Sequence, residues 1–425
     1  MNKRTFLKLS ALGMAAASVP TVALSAPVAK KDSKLPAVDM NVSPISVKER
    51  LGRIQKAQAV MAEQDISAIV LEPGPAMDYF TGIQWWRSER LVSVVIPRQG
   101  DIAIICPFFE ESSIRELLVF GDDVRLWQED ENPYQRVKEV LADRGVNSGK
   151  LGFESSVRFF VLDGIMSLLP TMSYTSAEPV TLACRMFKSP HEIALMHKAS
   201  EVTLRAYEYL YSVLEAGMTQ ADVKSVLVST QSALGGGGAW GMALFDEASA
   251  YPHGTKKSHT LKEGSIILMD CGCNVHGYRS DISRTLVFGE PSKQHRRVWD
   301  TVRQGQQIAF EAAQVGTPAG RIDDLVRQFY ERSGFGPDYK LPGLSHRTGH
   351  GIGMEGHEPI NFVRGEKTKL AKGMCLSNEP GIYLPGEFGV RIEDCIYMGE
   401  RQAHWFTEPP VSIDQPLGKL ATLKV

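Results

Sequence analysis

Residues 266–285 read Ile266-Ile267-Leu268-Met269-Asp270-Cys271-Gly272-Cys273-Asn274-Val275-His276-Gly277-Tyr278-Arg279-Ser280-Asp281-Ile282-Ser283-Arg284-Thr285. An unbroken apolar run leads into an acid, a turn follows at 274–277, and an alternating strand over 278–288 returns. A hairpin folded about Val275 and His276 sets Asp270 opposite Asp281 within a residue or so. Opposed side chains on one face of such a pair have Cβ atoms ~5 Å apart. Two carboxylates held that close repel unless a cation or a shared proton lies between them.

The pattern recurs further along. Glu379 and Glu393 flank Pro385-Gly386-Glu387, a turn sequence at their midpoint, so a second hairpin opposes a second pair of acids. Between the hairpins lies His346-Arg347-Thr348-Gly349-His350-Gly351-Ile352-Gly353. Taken singly, each acid reads as an ordinary strand-end or salt-bridged carboxylate. Together, four carboxylates and an imidazole make a ligand set for two divalent cations. Oxygen-rich sites with one imidazole suit manganese, iron(II), cobalt or zinc better than thiol-preferring metals.

Working outward, the chain around these hairpins reads as helices on an antiparallel sheet, an α+β layout spanning 186–425. Ser189-Pro190-His191-Glu192 is a capping box with proline at the first helical position. Ile193, Met196, Ala199, Val202 and Ala206 then follow at helical spacing, and Gly217 stops the helix. Thr219 and Asp222 open another helix. Gly235-Gly236-Gly237-Gly238 reads as a flexible loop; no Lys-Ser/Thr follows, so it does not read as a phosphate cradle. Long helices are predicted over 293–315 and 322–333.

Residues 46–185 read as a separate α/β domain. A capping box at Ser46-Val47-Lys48-Glu49 opens a helix to about Met61. Ile66 to Leu71 is a buried strand, and runs at 91–97 and 101–107 form a hairpin around Arg98-Gln99-Gly100. Residues 27–45 are polar and proline-containing, a linker. Residues 1–26 carry Lys3, Arg4 and Lys8, then an Ala-rich apolar run and small residues, the layout of an export signal. Arg4-Thr5-Phe6-Leu7-Lys8 is similar to the end of a twin-arginine signal, with Lys3 in place of the first arginine. The expectation is a periplasmic or secreted protein, with an uncleaved anchor as the alternative; no other stretch is long and apolar enough to span a bilayer.

Bulk properties exclude several classes. With 425 residues and 43% hydrophobic side chains, the chain can bury a sizeable core. A formal net charge of −2 leaves no electrostatic footprint for nucleic acid or an anionic membrane. The 6 cysteines form neither a disulfide framework nor paired C-x-x-C zinc motifs and read as free structural thiols.

The motifs resemble the pita-bread metallopeptidases, the family of prolidase, aminopeptidase P and methionine aminopeptidase. The resemblance rests on Asp270-Cys271-Gly272, Gly277 through Thr285, Gly349-His350-Gly351-Ile352-Gly353, Glu379-Pro380-Gly381-Ile382-Tyr383 and Arg391-Ile392-Glu393-Asp394. It covers residues 188–400. The α/β part, 42–185, resembles the amino-terminal domain of prolidase, aminopeptidase P and creatinase, which methionine aminopeptidases lack.

The resemblance implies a dinuclear hydrolase acting on Xaa-Pro peptides through a hydroxide held between two metals, manganese first among the candidates and cobalt, zinc or iron next. Asp270 would bind one metal, Asp281 and Glu393 would bridge both, and His350 and Glu379 would complete the other site. Glu379 would also move the proton from nucleophile to leaving amine. His253, in Tyr251-Pro252-His253-Gly254, would line the substrate site. His357, in Gly356-His357-Glu358-Pro359, would support the tetrahedral intermediate or carry protons, and His346 joins the catalytic candidates. Arg391 would hold a substrate carboxylate or orient an acid. Trp85 and Trp86 would wall off the active site of a partner in a homodimer or larger homo-oligomer.

Three rivals share the fold. Creatinase-like hydrolases work without these ligands, yet all five are present. The sulfonium-compound lyases carry an extra acid where Gly272 stands. A non-enzymatic binding protein would have lost ligands.

Overall fold

The computed structural model describes residues 34–424. The expected export signal and the start of the expected linker lie outside the described residues. The rest of that linker forms no helix or strand, but it is not free of the fold: Val38, Met40 and Val42 pack against a buried cluster that includes Ile45. The expected helix follows at Val47–Glu63, with the Ser46 hydroxyl accepting from the Glu49 amide and the Glu49 carboxylate accepting from the Ser46 amide.

Six strands build the first sheet: β1 (Ile66–Leu71), β2 (Ser93–Pro97), β3 (Ala103–Pro107), β4 (Val124–Trp127), β5 (Gly149–Phe153) and β6 (Met172–Ser176), in the order β4-β3-β2-β1-β5-β6. The β1-β2-β3 core is antiparallel and the outer pairings are parallel. Every residue of β1 is buried because both faces are covered. Ala68 and Val70 face a cluster with Val137, Val140, Leu141, Val161 and Ile165 of two helices. Ile69 and Leu71 face the opposite cluster, which takes in Ile54, Ala57 and Met61. That second cluster continues into Ile193, Met196, Ala199 and Val202 of helix Pro190–Val213 and into Tyr278. The two parts of the chain therefore share a core.

The second part opens with helices Pro190–Val213 and Gln220–Ala233, each started by a capping box, the one at Ser189 as predicted. Strands β7 (Gly237–Phe245), β8 (Ile266–Val275), β9 (Tyr278–Arg279) and β10 (Ile282–Val287) form an antiparallel sheet in which β8 is flanked by β7 and β10. The four glycines are not a flexible loop. Gly235 (φ +94°) turns the chain, and Gly237 already pairs with Asn274 in β8. A Cβ on Gly236 would lie 2.7 Å from Cys273 Sγ, so this glycine allows close strand approach rather than mobility.

Strands β11 (Gly349–Gly351), β12 (Glu358–Phe362), β13 (Cys375–Asn378), β14 (Gly381–Leu384), β15 (Phe388–Arg391), β16 (Asp394–Met398) and β17 (Ala403–Trp405) follow, and a short pair, Thr407–Glu408 with Lys419–Leu420, closes the chain. The order β12-β11-β13-β16-β17 makes a five-stranded antiparallel sheet, and β14-β15 form a separate hairpin. Helices Lys293–Ala312 and Ala319–Arg332 cover this sheet through Val298, Trp299, Val302 and Val326. The first stops short of the predicted Val315 because the Val315 amide donates to Arg401 O and Gln314 bridges to Gln402. All 6 cysteines are buried free thiols. No helix among the described residues is long and apolar enough to cross a membrane.

Gly272 has a testable role in this sheet. A Cβ there would lie 2.1 Å from Ser280 O, backbone that cannot swing aside. Gly272→Ala is expected to cost roughly 1–3 kcal/mol of unfolding free energy. Gly52→Ala, in a helix with nothing within 4 Å of the new methyl, should gain up to about 1 kcal/mol. Urea melts of the two variants compare them directly; equal stability would remove the packing argument for Gly272.

Candidate active site and metal centre

The first acid pair is diagonal rather than directly opposed. His276 (φ +49°) and Gly277 (φ +87°) form the turn itself, with Val275 paired to Tyr278. Two consecutive positive-φ residues make a two-residue hairpin turn, and this moves the centre one position beyond the one expected. Asp270 therefore faces Ser283, and Asp281 sits two residues before Ser283 on the same face. The second pair meets as expected: Asn378 pairs with Asp394 and Gly381 with Arg391, so Glu379 lies opposite Glu393 between them.

Backbone bonds stitch the three segments together. The Glu393 amide donates to Ser283 O at 3.1 Å, and the Glu379 amide to Thr348 O at 2.9 Å. A fully buried ion pair holds the hairpins from behind: Arg284 donates to Asp394 Oδ1 at 2.7 Å, to Glu393 O at 2.8 Å and to Leu417 O at 2.7 Å. Arg327 does the same for the histidine segment, donating to His346 O at 2.6 Å and Leu344 O at 2.8 Å while paired to Asp323 at 2.7 Å. A buried guanidinium whose donors are this well used fixes backbone position.

At the centre, one ligand atom from each of Asp281, His350 and Glu393 lies within 4.8 Å of the others. His350 Nε2 is 3.3 Å from Glu379 Oε1 and 3.9 Å from Asp281 Oδ2. The other ring nitrogen, Nδ1, donates to Gly351 O at 3.0 Å, which leaves the Nε2 lone pair facing carboxylates. Burial holds the His350 pKa down to about 4, so the ring is a neutral ligand at pH 7. Burial, then the charges of Asp270 and Glu379, push the Asp281 carboxyl well above its usual range; burial, then Asp281, does the same to Glu393.

The residues fit a bound metal ion. Asp270 Oδ1, Asp281 Oδ1 and Glu393 Oε1 are buried acceptors with no hydrogen-bond partner. Buried acceptors are normally satisfied, and a lone pair aimed at other carboxylates is unfavourable without a cation. Two other carboxylate oxygens are held: Ser283 Oγ donates to Glu393 Oε2 at 2.7 Å, and Ser377 Oγ to Glu379 Oε1 at 3.4 Å.

Arg391 orients an acid. It donates to Asp270 Oδ2 at 2.7 Å, to Ser283 Oγ at 2.8 Å, to Pro252 O at 3.2 Å and to the Tyr383 hydroxyl at 3.3 Å. Tyr383 in turn donates to His346 Nε2 at 2.8 Å, and His346 Nδ1 donates to Arg347 O at 2.7 Å. Burial raises the Tyr383 pKa to about 12 and lowers that of His346 to about 4. Both His346 ring nitrogens are thus committed within the protein.

His253 and His357 line the same cavity of about 930 Å³ as the five metal-ligand candidates. The His357 ring lies 4.2 Å from that of His350, at 70°. Trp85 and Trp86 do not line this cavity. They stack on each other at 4.2 Å, and Trp86 is 63% exposed. Sequence reasoning missed Ser283, Ser377, Tyr383, Trp240, Arg279 and Glu355, of which the last three also line the cavity. The two serines could have been found from strand alternation, since each lies two residues from a ligand.

Comparison with known proteins identifies the family. The profile described as Metallopeptidase family M24 matches residues 194–400, and the profile described as Creatinase/Prolidase N-terminal domain matches residues 53–187. The Mycobacterium tuberculosis protein named "Probable dipeptidase PepE" is 30% identical over 356 residues, covering 82% of this chain and 92% of its own. The solved structure of dipeptidase PepE from Mycobacterium ulcerans superposes with a TM-score of 0.80 at 28% identity, covering 87% of this chain and 98% of its own. For a prolidase from Thermococcus sibiricus the TM-score is 0.78 at 27% identity, covering 86% and 98%. The chain belongs to metallopeptidase family M24, a family of metal-dependent hydrolases, and carries the creatinase/prolidase type of N-terminal domain.

Proposed function

We propose that this protein is an exported peptidase that removes the N-terminal residue from Xaa-Pro peptides with the help of two divalent cations, manganese first among the candidates. The observation that carries this reading is the convergence of Asp270, Asp281, His350, Glu379 and Glu393, with three orphaned carboxylate oxygens, in a cavity that also holds His253 and His357. The likeness to a prolidase supports the substrate class. Proline has no backbone N–H and a fixed φ, so it defeats ordinary extended-strand recognition and needs a dedicated pocket.

Asp270, Asp281, His350, Glu379 and Glu393 would hold the cations, which supply an activated water and polarise the scissile carbonyl. The chain's own residues do the rest. Glu379 Oε1 accepts from the Ser377 hydroxyl, while its Oε2 accepts no hydrogen bond among the described residues. Oε2 is the atom that takes the proton from the attacking water and passes it to the leaving nitrogen. His253 and His357 line the cavity, and a ring N–H of either would donate to the oxyanion developing on the substrate. Arg391 and Tyr383 hold Asp270 in place, and His346 acts through Tyr383 as a positioning residue.

The Trp85–Trp86 stack, with Trp86 exposed and Trp85 half-buried, supports a homodimer in which this pair walls a partner's cavity. The N-terminal signal supports a periplasmic or secreted location, which N-terminal sequencing of exported protein tests through a mature start near residues 24–27.

The deciding experiment is a panel of Xaa-Pro dipeptides, longer Xaa-Pro peptides and Xaa-Ala controls, assayed with manganese, cobalt and zinc. Cleavage at the Xaa-Pro bond is expected to dominate. Equal turnover of the Xaa-Ala controls would remove the proline specificity from this reading.

A further inference from the structure

His357 stands on the short segment between β11 and β12, and nothing about regular structure holds that segment still. Residues 352–357 lie in no helix or strand. Two of their amides converge instead on one carboxylate, while the Ile352 amide donates to Cys375 O and the Gly353 amide to Glu355 O. Glu358 Oε1 accepts from the Met354 amide at 3.0 Å and the Glu355 amide at 3.3 Å. Gly353 passes so close that a Cβ would lie 2.7 Å from each Glu358 oxygen.

Glu358 is itself held by two cations from the connection between the two parts of the chain. Lys188 Nζ lies 2.6 Å from Oε2, and Arg185 Nη2 lies 2.8 Å from Oε1. The Lys188 and Glu358 side chains are both almost wholly buried. The Lys188 amide donates to Gly373 O at 2.8 Å, which ties its backbone to the second part. A buried ion pair of this kind is a poor source of stability, because desolvation offsets most of its attraction. What it supplies is a fixed point for the backbone that carries His357.

We infer that Lys188 is a positioning residue for His357, acting through the Glu358 carboxylate on the backbone of residues 353–357. The inference rests on the part given to His357 above, and the test separates the two.

Lys188→Met in the manganese-loaded protein, assayed on Ala-Pro, is expected to lower kcat roughly ten- to a hundredfold, as small misplacements of active-site groups do. KM should move by less than about threefold, and Lys188→Arg should restore most of the rate. In a His357→Ala background the further loss from Lys188→Met should shrink to less than about twofold, because the residue acts through a group already gone. A loss that persists in full in that background overturns the inference.

A second readout needs no activity. Amide hydrogen exchange across 353–357 is expected to quicken in metal-free Lys188→Met while the rest of the sheet keeps its protection. Unchanged exchange there overturns the inference by itself. If His357→Ala alone turns over like the parent, the part given to His357 falls, and exchange alone decides the positioning claim. Should Lys188→Met not fold because it strands the Glu358 charge, Lys188→Met/Glu358→Gln removes both charges and takes its place in the same cycle and exchange comparison.

Discussion

Glu379→Gln is expected to lower kcat on Xaa-Pro peptides by roughly 10²–10⁴-fold, the range that general acid–base groups contribute. The substitution is nearly isosteric. It keeps an acceptor at Oε1 for the Ser377 hydroxyl, and the backbone bond from the Glu379 amide to Thr348 O is untouched. What it removes is the ability to take and return a proton, together with one negative charge beside His350. The thermal midpoint of the metal-free protein should therefore hold or rise, since a carboxylate 3.3 Å from the neutral His350 nitrogen is replaced by an amide. Metal content measured beside the rate separates proton transfer from metal loss. A variant that retains metal and still works within about tenfold of the parent, a barrier change of only ~1.4 kcal/mol, would show that Glu379 is not the proton carrier.

Legibility in the sequence followed how local each determinant was. The second hairpin could be read to the residue because Pro385-Gly386-Glu387 leaves one centre of symmetry, and the register places Glu379 against Glu393. The first could not, because Val275, His276 and Gly277 offer two centres, and positive φ at His276 decides between them. The tetraglycine stretch misled for a different reason. Glycine signals permissive backbone, and whether that permits motion or close approach depends on Cys273 and Asn274, which lie over thirty residues away. Capping boxes at Ser46 and Ser189 were legible because their partners lie three residues on. The buried partners that hold the site, such as Arg284 with Asp394 and Lys188 with Glu358, were not. They are 110 and 170 residues apart, and one charged residue looks like any other until the fold brings them together.

Metal is expected to stabilise the protein, and the gain should widen as pH rises. The sign follows from the acids. Without a cation, the folded-state pKa values of Asp281 and Glu393 lie well above the unfolded ones, pushed up first by burial and then by neighbouring carboxylates. Groups of this kind bind protons more tightly folded than unfolded. Their contribution is fully present below the unfolded carboxylate range, near pH 4, and is lost as pH rises through the folded values. Cations compete with those protons, so metal binding strengthens over the same interval in which the metal-free cluster becomes a liability. At a hundredfold excess over Kd a ligand adds about 2.7 kcal/mol. Melting with manganese and with EDTA at pH 5.5 and pH 8 should thus give a larger gap in Tm at the higher pH. Taking the difference cancels groups that titrate in the opposite sense, such as Glu358, whose pKa Lys188 and Arg185 hold down at about 2 against the effect of burial. Asp281→Asn sharpens the test. It should raise the Tm of the EDTA-treated protein at pH 8, because one of the mutually repelling charges is gone, while abolishing both the manganese gain and catalysis. A gap that stays constant or narrows with pH would mean that these carboxylates do not share a cation, and an Asp281→Asn protein less stable than its metal-free parent would mean that their repulsion is relieved in some other way.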